Sequence, residues 1–184
     1  MCAPDTDYID MAFLQLSFAI KLWHFLDNDP FPIKKDDFDI SLTIDDPGSR
    51  VCLTHNEFET DDHLKVVAEN NVSIAFGAVA ITLWEEIRKH SRLSPKDLDP
   101  QKNRAHNLAA LSYMIRCCFA HGAAEPVWSI QSDKYKTEYQ VGNKTIDLSQ
   151  IADKQAFDYA SIDGFETLWH LMVDARAEGL LKAA

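Results

Sequence analysis

The spacing of apolar residues predicts the first element of the chain, a helix over residues 8–27. One set of apolar residues recurs at every third or fourth position, as on one face of a helix. Its members are Ile9, Phe13, Leu16, Ile20 and Trp23. A second set widens this stripe beyond one face and consists of Met11, Phe18, Leu22 and Phe25. We therefore expect other elements to cover this helix on most sides.

Two later segments alternate apolar and polar residues, which is typical of strands that bury one face. The first covers residues 38–53, with turn-forming residues at 46–49. The second covers residues 135–148 and turns at Gly142-Asn143. Each pattern predicts a β-hairpin.

Start and stop signals mark three further helices. Thr60 or Asp61 can cap a helix that extends to about residue 90, and Gly77 within it indicates close helix packing. Asp163, with Glu166 three positions later, is similar to a capping box and predicts the start of the last helix.

The third predicted helix begins after the loop at residues 94–98. Asp99-Pro100 is expected to form its N-cap and first turn, and Gly122 lies near its end. Four apolar residues at helical spacing are predicted to face the core, namely Leu108, Leu111, Ile115 and Phe119.

The predicted order is helix, hairpin, helix, helix, hairpin, helix. Four helices that bury their apolar stripes on one another give a mainly α fold, or α+β in detail, with two β-hairpin insertions. The length of 184 residues and the 46% of apolar residues suit one core. Since no repeat or linker divides the chain, we expect a single domain over residues 1–184.

The formal net charge of −11 argues against a broad surface that clamps nucleic-acid backbones. Four cysteines without a disulfide framework, and ten first residues without Lys or Arg, favour a cytoplasmic protein. The apolar stretch at residues 72–83 is shorter than the roughly 20 residues of a membrane span, so no membrane association is expected. Cys117 and Cys118 are adjacent rather than spaced as a metal or redox pair, so we expect small core residues.

The segment at residues 114–122 reads Met-Ile-Arg-Cys-Cys-Phe-Ala-His-Gly and ends the third predicted helix. It resembles the Arg-x4-His motif of HEPN domains, through Arg116, His121 and the Gly that follows. Residues 103–127 carry the resemblance. It implies a HEPN-like four-helix bundle and a metal-independent endoribonuclease, of the kind found in toxin–antitoxin, abortive-infection and CRISPR systems. It also implies a homodimer in which two motifs meet, and an antitoxin protein as a further partner.

The two motif residues suit RNA cleavage by its own 2′-hydroxyl. An imidazole exchanges protons near neutral pH, and a planar guanidinium holds a phosphate. His121 and Arg116 are therefore the candidate catalytic residues, and the implied products are a 2′,3′-cyclic phosphate and a 5′-hydroxyl. Along one straight helix the two side chains would point about 140° apart, which the family resolves by pairing subunits. Ser112, Tyr113 and Cys117 are the predicted substrate-binding residues.

Other interpretations stay open at this point. Catalytic HEPN proteins often have a polar residue directly after the Arg, where this chain has Cys117, and some toxins have a modified Tyr where it has Ala123. A non-catalytic nucleotide- or protein-binding regulatory module is therefore the alternative. A purely structural role would have Arg116 paired with a carboxylate of a neighbouring helix and His121 capping its own helix.

No metal site or cofactor is predicted. Glu86 with His90, and the acidic stretch at residues 55–63, are expected to be a solvated helix face and a charged loop. Tyr135 and Tyr139 could stack RNA bases beside Lys134 and Lys136. Aromatic rings that pack inward from an ordinary hairpin are the favoured interpretation.

Overall fold

The computed structural model describes residues 7–27, 34, 37, 42–46, 49–53, 59–120 and 122–182. Within these residues the elements in chain order are α1 (Tyr8–Asp27), β1 (Leu42–Asp46), β2 (Ser49–Leu53), α2 (Asp61–Ser91), α3 (Arg104–Phe119), β3 (Glu138–Val141), β4 (Lys144–Asp147) and α4 (Glu166–Ala177). Short 3-10 helices at Asp133–Tyr135 and Tyr159–Ile162 flank the second hairpin. The prediction of a mainly helical fold is confirmed.

The chain divides into two compact units. One consists of residues 15–72 and the other of residues 1–14 with 73–184, so the boundaries fall within α1 and α2. In the first unit β1 pairs with β2 in an antiparallel hairpin, with Ile44 opposite Val51. Leu26, Leu64 and Ala68 form a small core there, with Leu22 and Trp23 packed against it. The prediction of a single domain stays a prediction.

The second unit contains the larger core. On α3 the four residues predicted to face inward, Leu108, Leu111, Ile115 and Phe119, are all buried. In this unit α3 contacts α4 and β3, and α4 also contacts β3. A Cβ atom added at Gly77 would lie 2.8 Å from Cδ1 of Phe119, so the predicted close packing at this glycine is confirmed.

Two predicted helix starts are wrong. The N-cap of α3 is Asn103, whose Oδ1 accepts a hydrogen bond from the backbone N–H of His106 at 2.9 Å. Asp99 instead accepts from the backbone N–H of Gln101 at 3.0 Å, which closes a local turn before the helix. At α4 the N-cap position is Phe165, without a side-chain cap, and Asp163 adopts a left-handed conformation at the end of the preceding 3-10 helix.

The caps of α2 and the second hairpin agree better with the sequence. The hydroxyl of Thr60 accepts a hydrogen bond from the backbone N–H of His63 at 3.2 Å, as a capping residue does. The strands β3 and β4 pair in antiparallel register across the predicted turn at Gly142-Asn143, with Tyr139 opposite Ile146. The strand begins at Glu138 rather than at Tyr135, because residues 133–135 form a 3-10 helix. Of the first predicted hairpin, residues 38–41, 47 and 48 lie outside the described residues.

The prediction that α1 is covered on most sides is wrong for the chain as described. Ile9, Leu16 and Leu26 are buried, but Phe18 keeps 67% and Leu14 keeps 62% of its surface exposed. The apolar set therefore forms two stripes, of which only one packs inward. By length and composition alone, α1 and α2 could each cross a membrane, a criterion that buried helices of water-soluble proteins also meet. The cytoplasmic location stays a prediction.

Candidate functional site

The last turns of α3 have one buried face and one half-buried face. Its inward face carries Leu111 and Ile115, which are fully buried. Tyr113, Arg116 and Cys117 lie on another face and are half-buried. Because residues three or four apart on a helix are neighbours, these three side chains share one surface.

This surface forms one side of a cleft of about 420 Å³. From α3, Tyr113, Met114, Arg116, Cys117 and Ala120 line the cleft. The loop before α3 contributes Pro95 and Lys96, and the segment after it contributes Ser129, Gln131, Ser132, Lys134 and Tyr135. The volume falls within the range of about 300 to 1,000 Å³ that small-molecule sites occupy.

Among the described residues, the charged groups in the lining of this cleft are all cations: Lys96, Arg116 and Lys134. Asp97 follows Lys96 in the sequence and Asp133 precedes Lys134, but both carboxylates pair with groups outside the lining. Asp97 accepts from the backbone N–H of Ser94 at 3.2 Å and also from its hydroxyl, and these hydrogen bonds lower the pKa of Asp97. Asp133 lies 3.5 Å from the ammonium of Lys136. The cleft is therefore a local basic site on an acidic chain.

Arg116 has no ion pair with any described residue, and its Nε is buried without a hydrogen-bond partner among them. A buried N–H of a charged group without a partner costs on the order of 1–3 kcal/mol or more. The carboxylate partner that a structural role would require is therefore absent from the described part of the chain. No described residue accepts a hydrogen bond from this guanidinium.

Lys134 is held in position by two contacts. Its ammonium donates to the carbonyl oxygen of Leu98 at 2.8 Å and lies 4.8 Å from the centroid of the Tyr135 ring. The hydroxyl of Tyr135 in turn donates to the carbonyl oxygen of Pro95 at 2.9 Å. These bonds join the loops on the two sides of the cleft and leave two N–H groups of the ammonium for a ligand.

The structure brings two of the three predicted substrate-binding residues to Arg116. Tyr113 packs between Trp84, at 5.1 Å between ring centroids, and Tyr135, at 5.9 Å. Burial, with the neighbouring Cys117 as a second cause, raises the pKa of Tyr113 to about 12. Ser112 is not part of the lining: it is 1% exposed, and its hydroxyl has no partner among the described residues.

The two adjacent cysteines lie in different environments. Cys118 is buried, its Sγ donates to the carbonyl oxygen of Met114 at 3.3 Å, and burial raises the pKa of its thiol. Cys117 is half-buried and lines the cleft. The expectation of a small core residue thus holds for Cys118 and is wrong for Cys117, because neighbours on a helix point about 100° apart.

His121 lies outside the described residues, but the chain on both sides of it is fixed. The helix α3 ends at Phe119, with Ala120 as its C-cap. After position 121, the hydroxyl of Ser73 donates to the carbonyl oxygen of Ala123 at 2.7 Å. The backbone N–H of Val127 donates to the carbonyl oxygen of Cys118 at 3.3 Å. The angle between the side chains of Arg116 and His121 stays a prediction.

Of the weaker candidates, residues 55–58 of the acidic stretch lie outside the described residues, and Glu86 with His90 does not form a metal site. The described residues contain no group of three or more His, Cys, Asp and Glu side chains that could hold a metal ion, and Glu86 pairs with Lys89 at 3.3 Å. Tyr139 is fully buried and Tyr135 is 7% exposed, so neither ring offers a face for stacking. The favoured interpretation, rings packed inward, agrees with this burial.

Comparison with protein-family models, with curated proteins and with solved structures finds no match to this chain. The description of the site therefore uses only the geometry of this chain.

Sequence reasoning missed several residues of the cleft. Lys96 lies in a loop that was expected only to connect helices, and Ser129, Gln131 and Ser132 carried no motif. One signal was available: Trp128 and Ile130 alternate with Ser129 and Gln131, which indicates an extended segment with one polar face.

Proposed function

We propose that this chain is a HEPN-like, metal-independent endoribonuclease that binds an RNA phosphate in the cleft of Lys96, Arg116 and Lys134. The observation that carries the proposal is that the guanidinium of Arg116 has no partner among the described residues and lies in a cleft whose described charged lining is entirely cationic. Arg and Lys are the residues that bind phosphates, and Arg can do so with two parallel hydrogen bonds.

Arg116 is the group that holds the scissile phosphate as negative charge develops on it. His121 transfers the proton, because an imidazole titrates near neutral pH. Tyr113 remains protonated at that pH, since its pKa is about 12, and it serves as a hydrogen-bond donor. The chain acts as a homodimer in which the second copy completes the catalytic set, in a toxin or a stress or defence context, with an antitoxin protein as a further partner.

The described helices are compatible with this proposal. They have the number and the chain order that a HEPN-like four-helix bundle requires, and α3, which carries Arg116, contacts α4. The hairpin of β3 and β4 lies between α3 and α4 in the sequence, as an insertion into such a bundle would.

A second candidate is a non-catalytic HEPN-like module that binds a nucleotide or a protein and regulates it. One observation favours it: the described lining of the cleft supplies cations, hydroxyls, a thiol and an amide, but no His, Asp or Glu to act as a general base. Under this candidate the cleft binds the phosphate and no bond is cleaved.

The test of the reaction is RNA cleavage in EDTA. Purified protein is incubated with a mixture of single-stranded RNAs, and the ends of the products are identified by mass spectrometry. We expect 2′,3′-cyclic phosphate and 5′-hydroxyl ends. His121→Ala should lower the rate at least 100-fold, within the range of about 10²- to 10⁴-fold for a general acid or base.

The control is His90→Ala, an exposed histidine on α2. It should cleave as the wild type does. Equal cleavage by wild type and the His121→Ala variant would contradict the catalytic proposal, and RNA binding without any cleavage would select the regulatory module.

A further inference from the structure

The cleft is larger than a phosphate group needs. Its volume of about 420 Å³ matches a site for a whole small molecule rather than for one anion. Apart from the three cations, the described polar lining is uncharged. It includes the hydroxyls of Tyr113, Ser129 and Ser132, the thiol of Cys117 and the amide of Gln131, while the hydroxyl of Tyr135 already donates to Pro95. A neutral part of the ligand therefore has polar groups to bind.

The segment that carries Ser129 and Gln131 is an extended wall. Trp128 is fully buried and Ile130 is 4% exposed, and the residues that alternate with them line the cleft. Side chains alternate in this way along an extended chain. Two of the uncharged polar groups therefore point to the same side.

Backbone hydrogen bonds hold this wall along its other edge. The N–H of Trp128 donates to the carbonyl of Gln155 at 2.8 Å, and the N–H of Lys154 donates to the carbonyl of Trp128 at 2.7 Å. The backbone N–H of Ile130 donates to Oδ1 of Asp153 at 2.9 Å. Because the backbone is held at Trp128 and Ile130, the direction of Ser129 between them is set before a ligand binds, and this lowers the entropy cost of binding.

The polar groups of this wall are not used within the described chain. The amide of Gln131 makes no hydrogen bond to another described residue. Ser132, at the start of the 3-10 helix, makes no side-chain capping bond. A glutamine amide presents a donor and an acceptor side by side, which is the pattern that reads the edge of a nucleobase.

We infer that the wall of Ser129, Gln131 and Ser132 recognises the edge of one unpaired base, while Arg116, Lys96 and Lys134 hold the adjoining phosphate. This rests on the proposed function, because it assumes that the phosphate belongs to a nucleotide. The ligand class is a single-stranded RNA, whose bases have open edges, and not a duplex. Gln131 is the residue that determines base specificity.

The test measures binding without cleavage. Inorganic phosphate, ribose 5-phosphate and the four ribonucleoside 5′-monophosphates are titrated into the full chain by calorimetry. In the wild type the four nucleotides should differ in affinity, and the best should bind about tenfold more tightly than ribose 5-phosphate. Gln131→Met, which keeps the side-chain volume, should remove this advantage and leave the affinity for ribose 5-phosphate unchanged.

Gln150→Met is the matched control, since Gln150 is exposed and lies outside the cleft lining. It should bind all six compounds as the wild type does. Equal affinity of the wild type for ribose 5-phosphate and for every nucleotide would overturn the base-reading inference alone, as would an unchanged advantage in Gln131→Met. Failure of the phosphate group itself to bind, seen as no binding of any compound, would overturn the proposed function as well.

Discussion

The helix α3 carries an arginine near each end, and the two have opposite surroundings. At its start, the guanidinium of Arg104 lies 2.7 Å from Asp174 and 3.4 Å from Glu178, both of which belong to α4 or its end. Near its last turn, Arg116 has no carboxylate partner among the described residues. The two positions are about 18 Å apart along the helix axis. The two residues are of the same type and differ in their described partners, and under the proposed function Arg104 is structural while Arg116 binds the phosphate.

Asp174 is a carboxylate partner of Arg104 at the start of α3. Its Oδ2 also accepts the backbone N–H of Gly142 at 2.7 Å, so one carboxylate joins α3, α4 and the turn of the second hairpin. At the other end the polar groups around Arg116 are uncharged or cationic, and none of the described lining residues can neutralise it. Under the proposed function, this charge is the one that pairs with the phosphate.

The largest effect is expected for Arg116→Ala. The rate of RNA cleavage should fall by about 100-fold or more, because a donor to the developing charge is lost. The free energy of unfolding should change by less than about 1 kcal/mol, since no described ion pair is broken. Cleavage in EDTA and urea unfolding measure the two quantities. A large loss of stability with normal cleavage would show that Arg116 has a structural role and does not bind the phosphate.

The next largest effect is expected at the start of α3, where Asp174 pairs with Arg104. Asp174→Ala should lower the free energy of unfolding by about 2 kcal/mol, because it leaves Arg104 and the N–H of Gly142 without their partner. The midpoint of urea unfolding measures this loss, and RNA binding by the folded protein should stay within about twofold of the wild type. An unchanged midpoint would show that this carboxylate does not join the three elements.

A carboxylate can also be added to the cleft. Arg116 would then have an acidic neighbour, as Arg104 does. Ser132→Asp does this at a position where an aspartate suits the start of a helix. The affinity for single-stranded RNA should fall by about tenfold, because the new charge repels the phosphate and attracts Arg116. Gln150→Glu adds the same charge outside the cleft and serves as the control. If both variants bind equally, the sign of charge in the cleft does not matter.

The smallest effect is expected for Arg104→Ala. Its side chain is 44% exposed, and ion pairs of this kind contribute about 1 kcal/mol or less. The loss of stability should shrink as salt is added, because salt screens exposed charges. Urea unfolding at two salt concentrations measures this, and RNA cleavage should not change. A loss of cleavage in this variant would remove the distinction between the two arginines.

The sequence predicted the helices better than their ends. The bounds of α1 agree with the prediction, and α3 buries the residues that the periodicity assigned to its inner face. The start of α3 was misplaced because Asp99 and Asn103 are both good capping residues, and only the packed structure decides between them. The outer stripe of α1 was misjudged because periodicity shows which residues are apolar but not how many neighbours cover them.

The candidate site was predicted only around its motif. Arg116, Tyr113 and Cys117 share a helix face, which spacing alone can show. Lys96 and Gln131 come from loops on either side of α3, and loop conformation brings them to the cleft. Ser112 was placed with the site because it is close in sequence, although its side chain is buried. Spacing therefore predicted the helical part of the site and could not predict the loops.

The central claim is that the guanidinium of Arg116, which has no partner among the described residues, binds an RNA phosphate. The most direct measurement is the Kd of a single-stranded RNA with 2′-O-methyl groups, which cannot be cleaved, by fluorescence anisotropy in EDTA. Three phosphate contacts predict a slope of about −2 for log K against log salt between roughly 50 and 200 mM. Arg116→Ala should bind about tenfold more weakly with a slope nearer to zero by about 0.7, while Arg104→Ala matches the wild type. Equal affinity and slope for the wild type and Arg116→Ala would contradict the account.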